Sequence, residues 1–118
     1  MIVGLGVDVV DLARFERAVS RTPRLRERLF AESERMLPLR SLAGRFAAKE
    51  ALVKALGDAE DVGWNEMVIA NAPNGNPAFV VDGALARLLA RRGIDALHVS
   101  MSHDAGVAVA TVVAEARG

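Results

Sequence analysis

Four side chains are charged or titratable where the surrounding pattern calls for apolar residues: Asp8, Glu50, Lys54 and His103. Singly, each has an ordinary role. Asp8 can cap or face water at a strand end. Glu50 and Lys54 are spaced i,i+4 in the favoured order and can form a surface ion pair. His103, beside Asp104, can be a turn histidine. Together they fit one chemistry, in which two carboxylates from separate elements hold a hard divalent cation such as Mg²⁺ while Lys54, His103 and nearby arginines hold phosphates. A second feature is the run Arg14, Arg17, Arg21, Arg24, Arg26 and Arg28, opposed between Leu12 and Phe30 only by Glu16 and Glu27. Such a run is either a solvated face or the docking surface for an acidic partner.

The elements that must position these groups are readable from periodicity. Residues 2–10 are short and Val-rich, interrupted only by two glycines and one acid, and read as a buried strand carrying Asp8. Asp11 is placed to cap a helix with Leu12, Phe15 and Val19 on one face, and Thr22-Pro23 to restart a second short helix as its cap and first position. Residues 41–56, rich in Ala and Leu and followed by Gly57, form the strongest helix. At about 100° per residue, Leu42, Phe46, Val53 and Leu56 fall in one arc, with Glu50 and Lys54 beside it among Ala43, Ala47 and Ala51. Those small neighbours leave room for another group to approach. Residues 67–70 and 78–81 read as short strands around a turn containing Asn74-Gly75 and Pro77. Asp82 caps a helix that turns Leu85, Leu88 and Leu89 inward and stops at Gly93. Residues 97–102 and 107–114 form a hairpin across 103–106. The order β, helices, β, β, α, β, β lacks regular βαβ alternation, so the expected fold is α+β, a mainly antiparallel sheet packed with a long central helix.

A chain of 118 residues makes one domain over residues 1–118, large enough for a core without staples. At 52% hydrophobic it has more apolar surface than one small sphere hides, which predicts subunit contacts. Net charge is zero, which argues against a general nucleic-acid binder, yet residues 1–54 carry 11 basic and 7 acidic side chains against 4 and 8 in the remainder. The first half is the anion-facing half. Without cysteine there is no disulfide, thiolate metal site or thiol nucleophile. Asp8 and Asp11 interrupt the N-terminal segment before any signal-peptide core is complete, and the longest uncharged apolar run, 105–114, is too short to span a bilayer. A cytoplasmic protein with no membrane or nucleic-acid partner is expected.

Residues 4–15 (GLGVDVVDLARF), 45–57 (RFAAKEALVKALG) and 98–104 (HVSMSHD) closely resemble, in order along the chain, the signature segments of the holo-[acyl-carrier-protein] synthases. These are the short, homotrimeric branch of the 4′-phosphopantetheinyl transferases. The middle segment, with Lys-Glu-Ala and a lysine four residues after the glutamate, is the specific one. The resemblance implies transfer of 4′-phosphopantetheine from coenzyme A to a serine of apo-acyl carrier protein, releasing adenosine 3′,5′-bisphosphate, in fatty-acid biosynthesis. It implies that Asp8 and Glu50 are Mg²⁺ ligands, that Lys54, Arg45, His103 and the Gly57 turn contact the coenzyme A phosphates, and that Glu50, Lys54 and His103 serve catalysis. The serine proton would pass to Glu50 or to a metal-bound water. Arg14, followed by Arg17, Arg21, Arg24 and Arg28, would face the acidic carrier protein, and the sites would lie between protomers of a trimer. After Gly57 many members continue Thr-Gly where this chain has Asp58-Ala59, a departure in the loop that would meet the nucleotide.

The rival reading is a non-catalytic module whose arginine helix docks on RNA or an acidic protein. It leaves Asp8 and Glu50 unexplained, and one Trp, four Phe and no Tyr offer little stacking surface for single-stranded RNA. A transferase serving a polyketide carrier protein would carry the same residues.

Overall fold

The structure is a computed structural model and describes residues 1–117. Strand β1 (Ile2–Asp11) leads into helix α1 (Leu12–Arg21), a short α2 (Leu25–Leu29) and the long α3 (Leu39–Leu56). A 3₁₀ turn at Trp64–Glu66 precedes the small hairpin β2 (Ile69–Asn71) and β3 (Pro77–Phe79), then come α4 (Gly83–Arg91), β4 (Ala96–Asp104) and β5 (Val107–Glu115). The main sheet is antiparallel with order β1-β5-β4, and β2-β3 form a second antiparallel pair. The expected α+β architecture and element order are therefore found. The β4-β5 connection is tighter than expected, a two-residue turn in which Ala105 and Gly106 both have positive φ, the geometry that matches the twist of a hairpin. Its tip is tied to the start of α1, where the Leu12 N–H donates to the Gly106 carbonyl at 2.9 Å.

Helix α3 lies across the inner face of the main sheet, and small residues bring the two backbones together. On β5 the inward row is Ala108, Ala110, Val112 and Ala114, all fully buried. On β1 it is Gly4, Gly6, Asp8 and Val10. A Cβ on Gly6 would collide with the Ala51 carbonyl of α3, and one on Gly4 with the Ala55 carbonyl. The alanines of α3 thus have a packing role: Ala43, Ala47 and Ala51 are buried completely and leave no room for an outside group. The expected apolar arc is also incomplete. Phe46, Val53 and Leu56 are only half-buried, while Arg45, Ala48, Lys49 and Leu52 join Leu42 in the interior, because α3 is covered both by the sheet and by the segment after α2.

That second cover is fastened by a buried ion cluster. Lys49 Nζ donates to Glu34 Oε1 at 2.7 Å, to the Leu29 carbonyl at 2.6 Å and to the Trp64 carbonyl at 3.1 Å, and it lies 4.7 Å from the centre of the Phe30 ring. Burial pushes the Lys49 ammonium below its ordinary pKa, and the Glu34 carboxylate opposes that shift. Glu34 Oε1 also accepts from the Ala31 N–H at 3.0 Å, and Oε2 from the Ile69 N–H at 3.2 Å.

Other boundaries differ from expectation for local reasons. Asp11 does cap α1, accepting from the Arg14 N–H at 2.9 Å. Thr22, however, closes α1 and its carbonyl accepts from the Leu25 N–H, so Pro23 lies in the intervening turn and α2 starts after Arg24. The long helix begins two residues early, at Leu39 after Pro38. Asp82 precedes α4 without a side-chain capping bond. Strand β1 is an edge strand and buried on one face only, with Leu5 66%, Val7 52% and Val9 59% exposed on the other.

The close approach of β1 to α3 makes Gly6 intolerant of any side chain. Gly6→Ala is expected to lower unfolding free energy by at least about 3 kcal/mol, since neither backbone can retreat without opening the core. Denaturant unfolding measures it, and a Tm and midpoint equal to wild type would show that the two elements are not held this tightly.

Candidate active site

The inward alternation of β1 that places Gly4 and Gly6 against α3 also turns Asp8 toward that helix, at the level of Glu50 and Lys54. Lys54 Nζ donates to Asp8 Oδ1 at 2.9 Å and to the Val7 carbonyl at 3.1 Å. The lysine side chain is 54% exposed and the aspartate 17%, so this pair is reachable from solvent. Glu50 is half-buried, and its carboxyl is pushed above the ordinary glutamate value first by desolvation and then by the neighbouring Asp8 charge, with Lys54 pulling the other way. Asp8 and Glu50 border one cavity of about 460 Å³, together with Asp11 and Arg14, over an apolar floor that includes Phe15, Leu25, Leu29 and Phe46. Phe15 and Phe46 stack there at 5.8 Å between centroids. Paired carboxylates, a lysine and an apolar floor form a site that can hold a cation and a phosphate beside a greasy surface.

His103 and Arg45 lie elsewhere in the chain. They line a second cavity of about 260 Å³ with Arg40, Ser41, Asn71 and Ser102, and it shares no lining residue with the first. Three positive or titratable side chains and three neutral hydrogen-bonding ones suit an anion. Arg40, Ser41 and Asn71 were not singled out from the sequence. Arg40 stood one residue before the expected helix start, and Asn71 reads only as the flank of a turn. Gly57 closes α3 with φ 78° and borders neither cavity. Arg14, Arg17, Arg21, Arg24 and Arg28 are all exposed, with Arg14 at the rim of the first cavity and Arg17 and Arg21 on the outer surface of α1. Arg26 is different, because its guanidinium donates to the Arg35 carbonyl at 3.0 Å and serves the fold.

The family model of the 4′-phosphopantetheinyl transferase superfamily matches residues 4–112. The chain belongs to that superfamily. Within it the similar proteins are holo-[acyl-carrier-protein] synthases. The synthase of Leifsonia xyli is 60% identical over 115 residues, covering 98% of each chain, and that of Clavibacter sepedonicus is 58% identical over 118 residues, covering 100% of this chain and 99% of the other. Among solved structures, the Neisseria meningitidis synthase superposes with a TM-score of 0.89 at 34% identity, covering 98% of this chain and 99% of its own. The Bacillus anthracis synthase in complex with CoA (3′,5′-ADP) gives 0.79 at 32% identity, covering 99% of each. This chain is thus an enzyme of the 4′-phosphopantetheinyl transferase class, and the three resembling segments are carried by the elements that frame the two cavities.

In this transferase the raised Glu50 pKa carries a linkage consequence. A carboxyl whose folded pKa lies above its unfolded value contributes stability that is present below the unfolded pKa and lost as pH rises through the folded one. Glu50→Gln is therefore expected to match wild type in Tm in acid and to exceed it at neutral pH. A Glu50→Gln protein less stable than wild type at neutral pH would contradict the strained carboxylate.

Proposed function

We propose that this enzyme transfers 4′-phosphopantetheine from coenzyme A to a serine hydroxyl of an apo-acyl carrier protein, with Mg²⁺ as its metal, releasing adenosine 3′,5′-bisphosphate. The observation that carries this reading is the juxtaposition of Asp8 and Glu50 at one cavity, with Lys54 bonded to Asp8, in a chain whose relatives bear that activity in their names. Coenzyme A as substrate is supported by the bound state of the Bacillus anthracis relative and by that of the Helicobacter pylori synthase.

The donor set fits the metal. Two carboxylates, one of them raised in pKa by burial and by its neighbour, make a pair whose repulsion a hard divalent cation relieves. Among the described residues no third His, Asp or Glu joins them, so substrate phosphate and water complete such a site. Bound there, Mg²⁺ supplies charge neutralisation on the pyrophosphate. The serine oxygen bonds to the phosphorus bearing pantetheine, the bond from that phosphorus to the bridging oxygen breaks, and the electron pair leaves with adenosine 3′,5′-bisphosphate. Lys54 stabilises the charge gained by the leaving phosphate, an electrostatic role typical of phosphoryl transfer. Glu50 or a water at the metal site would take the serine proton.

The phosphates of the nucleotide half belong, in this reading, to the basic cavity of Arg40, Arg45 and His103. That cavity and the carboxylate cavity share no lining residue in one chain, and in this reading they are brought together between protomers of a homotrimer, as the family resemblance implies. The exposed row Leu5, Val7 and Val9 on β1, bordered by the half-buried Val109 and Val113 on β5, supports that association through an apolar sheet face. The five exposed arginines of α1, α2 and the turn between them give the acidic carrier protein its landing surface. In this reading the enzyme works in the cytoplasm and serves fatty-acid synthesis.

Incubating apo-carrier protein with coenzyme A, Mg²⁺ and this enzyme should add the mass of one phosphopantetheine, and Asp8→Ala or Glu50→Ala should abolish the shift while the circular dichroism spectrum stays native. Near-normal turnover by either variant would sink the metal assignment. Sedimentation should give a trimer, and dilution should lose activity in step with mass. A fully active monomer would refute the shared site.

A further inference from the structure

The reaction outlined above makes no use of Glu34 and Lys49, although both are completely buried. Stability alone is a poor reason for such a pair, because well-packed apolar residues commonly do as well. Geometry is a better one. Glu34 Oε1 is engaged by Lys49 and by the Ala31 N–H, while Oε2 accepts from the Ile69 N–H and lies 3.6 Å from Arg45 Nε. Arg45 Nε in turn donates to the Ile69 carbonyl at 3.4 Å. The guanidinium is therefore held by its Nε edge against Glu34 and β2. The bond to the protein runs through Nε, and no buried side-chain nitrogen among the described residues lacks a partner, so the Nη nitrogens reach accessible space on a side chain that lines the basic cavity.

We propose that Glu34 is a positioning residue for Arg45, which it reaches from inside the protein, aiming the Nη fork into the basic cavity to grip a phosphate of coenzyme A. This rests on the reading of that cavity as the nucleotide phosphate site. Lys49 is the counter-charge that lets a carboxylate sit at this depth, and its bonds to the Leu29 and Trp64 carbonyls fix where that carboxylate stands. The arrangement needs arginine, since only a planar fork can be held at Nε and still present two donors outward.

A double-mutant cycle tests this on the assembled enzyme with Mg²⁺, reading kcat, the KM for each substrate and Tm. Glu34→Gln should raise the KM for coenzyme A about tenfold, the size of one misdirected charge-assisted hydrogen bond, and leave the carrier KM unchanged. Arg45→Ala should raise the same KM, and adding Glu34→Gln to it should change nothing further. If the two effects add, or if Glu34→Gln lowers Tm with the coenzyme A KM untouched, Glu34 is a scaffold residue and the proposal fails. If Arg45→Ala leaves that KM unchanged, the assignment of the cavity fails and the proposal with it. Should Glu34→Gln not fold, Glu34→Asp keeps the charge beside Lys49 but withdraws it from Arg45, and the same selective rise in KM is required of it.

Discussion

Between β1 and α3 there is no room for a side chain. At Gly4 and Gly6 the strand backbone lies against the Ala55 and Ala51 carbonyls of the helix, and the carboxylate pair is registered to that contact. Two residues beyond Gly6 on the same strand face comes Asp8. One residue before Ala51 comes Glu50, and one before Ala55 comes Lys54. A strand advances about 3.3 Å per residue and a helix about 1.5 Å, so a slip of one residue in either element would separate the carboxylates or turn one of them away. The glycines act as a ruler for the carboxylate pair.

Helix α3 sorts its charges by angle. Glu50 and Lys54 emerge at the solvent side near β1, whereas Lys49 and Arg45, on the same helix, point into the protein toward Glu34. Adjacent residues 49 and 50 thus carry opposite charges into opposite surroundings, one dry and saturated with hydrogen bonds, the other open to a cavity. The dry side costs desolvation, visible in the depressed Lys49 pKa, and in exchange it binds the segment after α2, the 3₁₀ turn and β2 to one helix. The walls of both cavities hang from that fastening.

Much of this was legible in the sequence where periodicity and local chemistry agree. Asp11 reads as a cap and is one, Gly57 reads as a helix stop and adopts the positive φ of one, and the hairpin after residue 96 follows from alternating Val and Ala. The misreadings come from contacts that no local pattern records. Lys49 passes without notice inside an Ala-rich helix, because its partner Glu34 lies in an irregular segment fifteen residues away. A Val-rich run reads as a buried strand, yet β1 is an edge strand whose outer face is exposed. His103 and Arg45 could be grouped with Asp8 and Glu50 by chemistry, but only the fold reveals that one chain keeps them in different cavities.

The first strand of the chain pairs with the last. Ile2 stands opposite Glu115, and the Met1 ammonium donates to the Ala116 carbonyl at 2.7 Å. During synthesis β1 therefore leaves the ribosome long before β5, the strand it pairs with. The helices can form and pack meanwhile, but the sheet cannot close, nor Asp8 find its place, until nearly the whole chain has emerged. Closure of the sheet makes the assembly of the candidate site a late event in folding, since its first carboxylate rides on the strand that waits longest for a partner.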